Sequence, residues 1–143
     1  MVPAAARDLG LARVGLSADD LPPETLLVTT PMFHVSGVMA IGLLAMHGGA
    51  KCVLREGAFD PLDALRLIEQ EQVTSWAALG SAGPRVARHP DLERYDRSSV
   101  TRVSFGGAPT SPAVKKTLAD AFPNASTQMG MSYGLSESSA MGT

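Results

Sequence analysis

The sequence is short of several things, and each shortage removes a class of function. Cys52 is the only cysteine in 143 residues, so no internal disulfide can form, and its place in an apolar run reads as a packed thiol. Basic residues are not in excess: twelve Lys and Arg stand against fourteen Asp and Glu, a formal charge of −2. A chain that grips a phosphate backbone needs a positive stripe, and with none present nucleic acid is not an expected partner. Long apolar runs are missing too. The longest, Val35 to Met46, is interrupted by Ser36, Gly37 and Gly42 and falls short of the ~20 residues a membrane helix needs. No transmembrane segment is expected. The amino end, Met-Val-Pro-Ala-Ala-Ala-Arg, lacks the basic patch and apolar block of a secretory signal, so a cytoplasmic setting fits best. No His, Cys and carboxylate cluster has transition-metal spacing. Neither Ser36 nor Ser136 lies in Gly-x-Ser-x-Gly, which sets serine hydrolysis aside.

What is present is the composition of one globular domain, 45% hydrophobic and 18% charged. Short apolar runs alternate with stretches of helical periodicity, and Gly, Pro or Asp separates each pair. That rhythm predicts an α/β fold, a parallel sheet with right-handed crossover helices in a doubly wound arrangement. Strands are expected at Leu26 to Thr30, Ala50 to Arg55, Thr74 to Leu79, Arg102 to Phe105 and Ala125 to Met129. Helices are expected from Val35 to His47, after Asp60-Pro61, from Ala82 to Arg88 and after Ser111-Pro112. Asp60 and Ser111 each precede a proline, the pairing of an N-cap with Pro at the first helical position. Trp76 follows a strand pattern and reads as core.

Ligands of such sheets bind beyond the carboxyl ends of the strands, and three segments fall there. Pro31-Met32-Phe33-His34 follows the first strand; His34 would either border a substrate or serve as a partnered structural residue. Gly106-Gly107-Ala108-Pro109 would either admit a flat ligand against bare backbone or simply turn the chain from strand to helix. Tyr133-Gly134-Leu135-Ser136-Glu137 combines a stacking ring, a hydroxyl and a carboxylate, groups suited to a purine, a phosphate oxygen and a divalent cation. The same groups also occur on ordinary solvated turns. Met129 and Met131 flank this loop and would form an apolar wall.

Taken in order, these segments resemble the adenylate-forming superfamily of acyl-CoA synthetases, firefly luciferases and peptide-synthetase adenylation domains. Pro31 to Gly37 is similar to that family's Pro-x-Phe-His-x-x-Gly, Gly106 to Pro109 to its Gly-Gly-Ala-Pro, and Tyr133 to Glu137 to its Tyr-Gly-x-Thr-Glu. Phe33-His34 and Gly-Gly-Ala-Pro resemble the acyl-CoA ligase branch rather than the peptide-synthetase one, which usually has Asp after that Phe. The resemblance implies a fatty or aryl acid substrate, with a fatty acid favoured. The acid would react with ATP to give acyl-adenylate and pyrophosphate, and coenzyme A would then displace AMP. It further implies that Gly107, Ala108 and Pro109 line the adenine, that Tyr133 covers it, and that Gly134 leaves room at the acyl-phosphate junction. Ser136 would bond a phosphate oxygen, Glu137 would help hold Mg²⁺, and His34, with Phe33 and Gly106, would border the acyl pocket. Ser136 stands where the family usually has Thr, so the hydroxyl survives without the methyl that restricts its rotamer.

Residues 1–143 are accordingly expected to be part of the family's N-terminal, AMP-binding domain. Residues 1 to 16 resemble the helix that follows the family's phosphate loop; that loop, the later ribose-binding Asp and the carboxy-terminal lid are not found in the sequence. Little or no turnover is expected of this span alone. The alternatives are a non-catalytic module that holds adenine nucleotide or acyl-CoA, and a structural fragment that self-associates through an exposed sheet edge.

Overall fold

A computed structural model describes residues 23–39, 49–134 and 136–138. Five parallel strands form one sheet: β1 (Thr25–Val28), β2 (Lys51–Leu54), β3 (Ser75–Ala77), β4 (Arg102–Gly106) and β5 (Met129–Ser132), in the order β2-β1-β3-β4-β5. Between them lie α1 (Val35–Met39), α2 (Pro61–Glu71), α3 (Ala82–Ala87) and α4 (Pro112–Ala121). The β1-to-β2 connection runs one way along the sheet and the three later ones run back. Helices α2, α3 and α4 pack on one face, where Leu65, Ile68, Val86 and Ala121 join the core. The direction reverses between β1 and β3, and that is where a sheet of this order opens a crevice.

Pairing register explains the core. Val53, Leu27, Trp76, Val103 and Met129 lie side by side across all five strands. The first four are buried on the helix-bearing face, with Leu65 and Ile68 of α2, Val86 of α3 and Phe122 at the end of α4. The Trp76 ring meets Phe122 edge to face with centroids 5.7 Å apart, the arrangement ring quadrupoles favour. The other face holds a smaller apolar cluster, Leu26 and Val28 with Ala50 and Cys52.

The two proline-headed helices begin as their sequences predict. Asp60 accepts a hydrogen bond from the Leu62 amide at 3.0 Å, and Ser111 accepts one from the Val114 amide at 3.4 Å.

Several boundaries differ from expectation. Thr29 lies just past the ladder, where its hydroxyl accepts the buried Trp76 indole N–H at 3.2 Å and donates to the Ala77 carbonyl at 3.4 Å. The last strand is not Ala125 to Met129 but Met129–Ser132, and Pro123–Ala125 is a 3₁₀ turn. There the backbone bonds are local, from the Ala125 amide to the Phe122 carbonyl and from the Gln128 amide to the Ala125 carbonyl. Buried Ala125 completes the core from that turn. Of the expected Val35–His47 helix, Val35–Met39 is helical and 40–48 lie outside the described residues, as do residues 1 to 16.

Candidate functional site

The row of side chains two residues beyond the core row is polar on β1 and β2 and stays apolar at Ala78, Phe105 and Met131. Thr29 succeeds Leu27, and Arg55 succeeds Val53. At the β1–β3 crevice a cleft of about 310 Å³ opens. Thr29, Thr30, Pro31, His34 and Ser36 line it from the β1 side, Leu79, Gly80 and Ser81 from the β3 side. Phe59 precedes α2, Arg85 comes from α3, and Gly107 follows β4.

His34 is held by its own helix. Its backbone amide donates to the Pro31 carbonyl at 3.0 Å, and its Nδ1 accepts from the Ser36 amide at 3.2 Å, so His34 caps α1. A neutral imidazole accepting at Nδ1 carries its proton on Nε2, which is then free to donate to a ligand oxygen. Gly37 explains the motif's spacing. A Cβ there would stand 2.4 Å from the Pro31 carbonyl oxygen, so only glycine lets α1 close against the loop that presents His34.

The loops after β3 and β4 are joined by the Gly80 amide, which donates to the Gly106 carbonyl at 2.8 Å. Both Gly80 (φ 59°) and Gly107 (φ 72°) take left-handed backbone angles. A Cβ on Gly107 would stand 3.9 Å from the Gly80 nitrogen. Bare backbone from two adjacent loops thus faces the cleft, as a flat ligand requires.

Two of the segments singled out in the sequence therefore meet here, through His34 and Gly107. Gly106 is buried beneath, while Ala108 and Pro109 are exposed on the turn into α4. Phe33 is 93% exposed and Tyr133 71% exposed. Gly134, Ser136 and Glu137 are also exposed, the last two in a 3₁₀ turn, Ser136–Ser138, beyond β5. None of these lines the cleft. Glu137 has no salt bridge among the described residues. Its carboxylate is exposed and free to accept, which suits Mg²⁺, a cation usually held by one or two carboxylates with phosphate oxygens. Beside β5, Phe105, Pro112, Lys115, Met129 and Met131 bound a second hollow of about 220 Å³, which no described residue of the Tyr133 loop lines.

Sequence reasoning missed Thr29, Thr30, Phe59, Gly80, Ser81 and Arg85. Gly80 was within reach, since a glycine directly after an apolar strand is the signal that marked Gly106-Gly107. Arg85 carried no signal, because its reach to the cleft depends on how α3 packs.

Comparison with known proteins bears on this geometry. A family model described as "AMP-binding enzyme" matches residues 6–143. The chain is 37% identical over 118 residues to 4-coumarate--CoA ligase-like 5 of Oryza sativa subsp. japonica, covering 82% of this chain and 21% of that protein. Among solved structures it is similar to the luciferase-like enzyme of the nonluminescent mealworm Zophobas morio, with TM-score 0.71 and 29% identity, over 80% of this chain and 26% of that one. It is also similar to the N-terminal domain of FACL13 from Mycobacterium tuberculosis, with TM-score 0.70 and 27% identity, over 87% of this chain and 30% of that one.

Proposed function

Because the chain belongs to the AMP-binding enzyme family, we propose that the protein carrying it is an acid–thiol ligase that converts a carboxylic acid to its coenzyme A thioester through an acyl-adenylate. The chain spans about a fifth of the length of the curated relatives it matches, so the reaction is proposed for the longer protein and little or no turnover for this span alone. The observation that carries the reading is the meeting of His34 and Gly107 at the β1–β3 crevice, from segments far apart in sequence.

In this reading the acid lies in the cleft with its carboxylate near His34, whose Nε2–H donates to it. The acid carboxylate attacks the α-phosphorus of ATP and pyrophosphate leaves; the thiol then attacks the acyl carbon and AMP leaves. Backbone at Gly106 to Pro109 forms one wall for the adenine and Tyr133 the other, and exposed Tyr133 would then be covered by the ring it stacks on. Gly134 leaves space where acyl group and phosphate join, and Ser136 donates to a phosphate oxygen. Glu137 would hold Mg²⁺, which when bound offsets charge on the phosphates. The acid is fatty or aryl, and the likeness to proteins named 4-coumarate--CoA ligase-like 5 and 4-coumarate--CoA ligase CCL1 favours aryl. A cytoplasmic setting accords with the use of ATP and coenzyme A; among the described residues no helix is long and apolar enough to cross a membrane.

The test is ATP–pyrophosphate exchange by the longer protein with aryl and fatty acids. Glu137→Gln should lower exchange about 100-fold with the melting temperature unchanged. Undiminished exchange would remove Glu137 from the metal site, and no exchange with any acid would end the ligase reading.

A further inference from the structure

The cleft has an unbalanced charge that the acylation chemistry does not use. Among the described residues that line it, Arg85 is the one full positive charge and none is a carboxylate. The guanidinium is held in place: its central carbon sits 5.0 Å from the centre of the Phe59 ring, and Nη2 donates a long bond, 3.5 Å, to the Phe59 carbonyl. Arg55 approaches the same ring at 5.7 Å. Arg55 is neutralised, since its Nε donates to Asp63 at 2.7 Å and its Nη1 to the Ala58 carbonyl at 2.9 Å. Arg85 forms no salt bridge among the described residues. Two guanidinium groups on one ring repel each other, and only one has its countercharge. An anion arriving in the cleft would supply the other, and the planar, pre-oriented fork suits a carboxylate.

Position decides which anion. Phe59, against which Arg85 lies, follows β2, whereas Ser136 and Glu137 follow β5 at the far side of the sheet. Arg85 lines the same cleft as His34, and the residues proposed to meet phosphate and Mg²⁺, Ser136 and Glu137, do not line it. The acid, with its reacting carboxylate at His34, is the ligand that shares this cleft with Arg85. We propose that Arg85 makes this a ligase for acids with a second carboxylate, held by the guanidinium at the end remote from the reacting one. This rests on the ligase reading.

The experiment compares three acids of one skeleton in pyrophosphate exchange by the longer protein: the diacid, its half methyl ester and the acid with a methyl in place of the second carboxyl. Wild type should use the diacid at least about 10-fold better than either neutral-ended acid. Arg85→Met should lose about 10- to 100-fold in kcat/KM on the diacid alone, with Arg85→Lys intermediate and melting temperatures unchanged. Equal use of all three acids by wild type, or equal loss on all three in Arg85→Met, would overturn the proposal. A raised KM for ATP with every acid would assign Arg85 to the nucleotide and likewise overturn it. If no acid supports exchange, the ligase reading falls, and calorimetry judges the site instead: the diacid should bind wild type more tightly than Arg85→Met, and equal binding would overturn the proposal.

Discussion

Gly37 and His34 show how closely one short segment ties shape to chemistry. With its missing Cβ only 2.4 Å from the Pro31 oxygen, Gly37→Ala should push α1 off the loop. A cost of about 1–3 kcal/mol is expected for such overpacking, read as a lower melting temperature together with a raised KM for the acid. His34 has a structural task as the α1 cap and a proposed chemical one through Nε2, and substitutions separate them. Asparagine also caps well, so His34→Asn should keep the melting temperature while losing acid turnover; His34→Ala should lose both, with about 1 kcal/mol from the cap. If His34→Asn retains full turnover, the imidazole has no part in the chemistry. The sequence pattern marked this segment, but its two readings of His34 were offered as alternatives. The structure supplies the capping role, because the Nδ1 bond depends on backbone positions that residue names do not display.

At the scale of elements, β2 at the sheet's edge sets the behaviour of Cys52. Burial pushes the thiol above its ordinary value, and the nearby Glu24 carboxylate pushes it the same way. A raised value means the folded state favours the protonated thiol. Its contribution to stability is present at pH below the ordinary thiol value and is lost as pH rises through the folded one. Alkylation should therefore be slow at neutral pH and accelerate only above the ordinary thiol range, and Glu24→Gln should shift that acceleration to lower pH. A rate independent of Glu24 would refute the electrostatic part. The strand-helix alternation was legible because apolar runs and cap-plus-proline pairs are local signals. The misplacement of β5 was not avoidable locally: Ala125 is as apolar as a strand residue, and only its turn's placement over the core shows that it fills space without pairing.

For the molecule as a whole, Trp76 joins core to site. It is fully buried in the row that crosses the sheet, and its indole N–H holds Thr29 at the cleft. Trp76→Ala should cost about 3–5 kcal/mol, seen in chemical denaturation. Trp76→Phe should cost less, yet it leaves the Thr29 hydroxyl without its donor, so acid KM should rise even where the fold persists. An unchanged KM in Trp76→Phe would show that the cleft does not depend on this bond. By itself the sequence determined the α/β class, the helix starts and the motifs, because periodicity, caps and glycine-rich turns act between neighbours in the chain. Strand order, the crevice between β1 and β3, the meeting of His34 with Gly107 and the reach of Arg85 to Phe59 were decided only by tertiary structure. Each depends on which strands lie adjacent and how α3 packs, and those outcomes come from burying one apolar row across five strands rather than from any local residue preference.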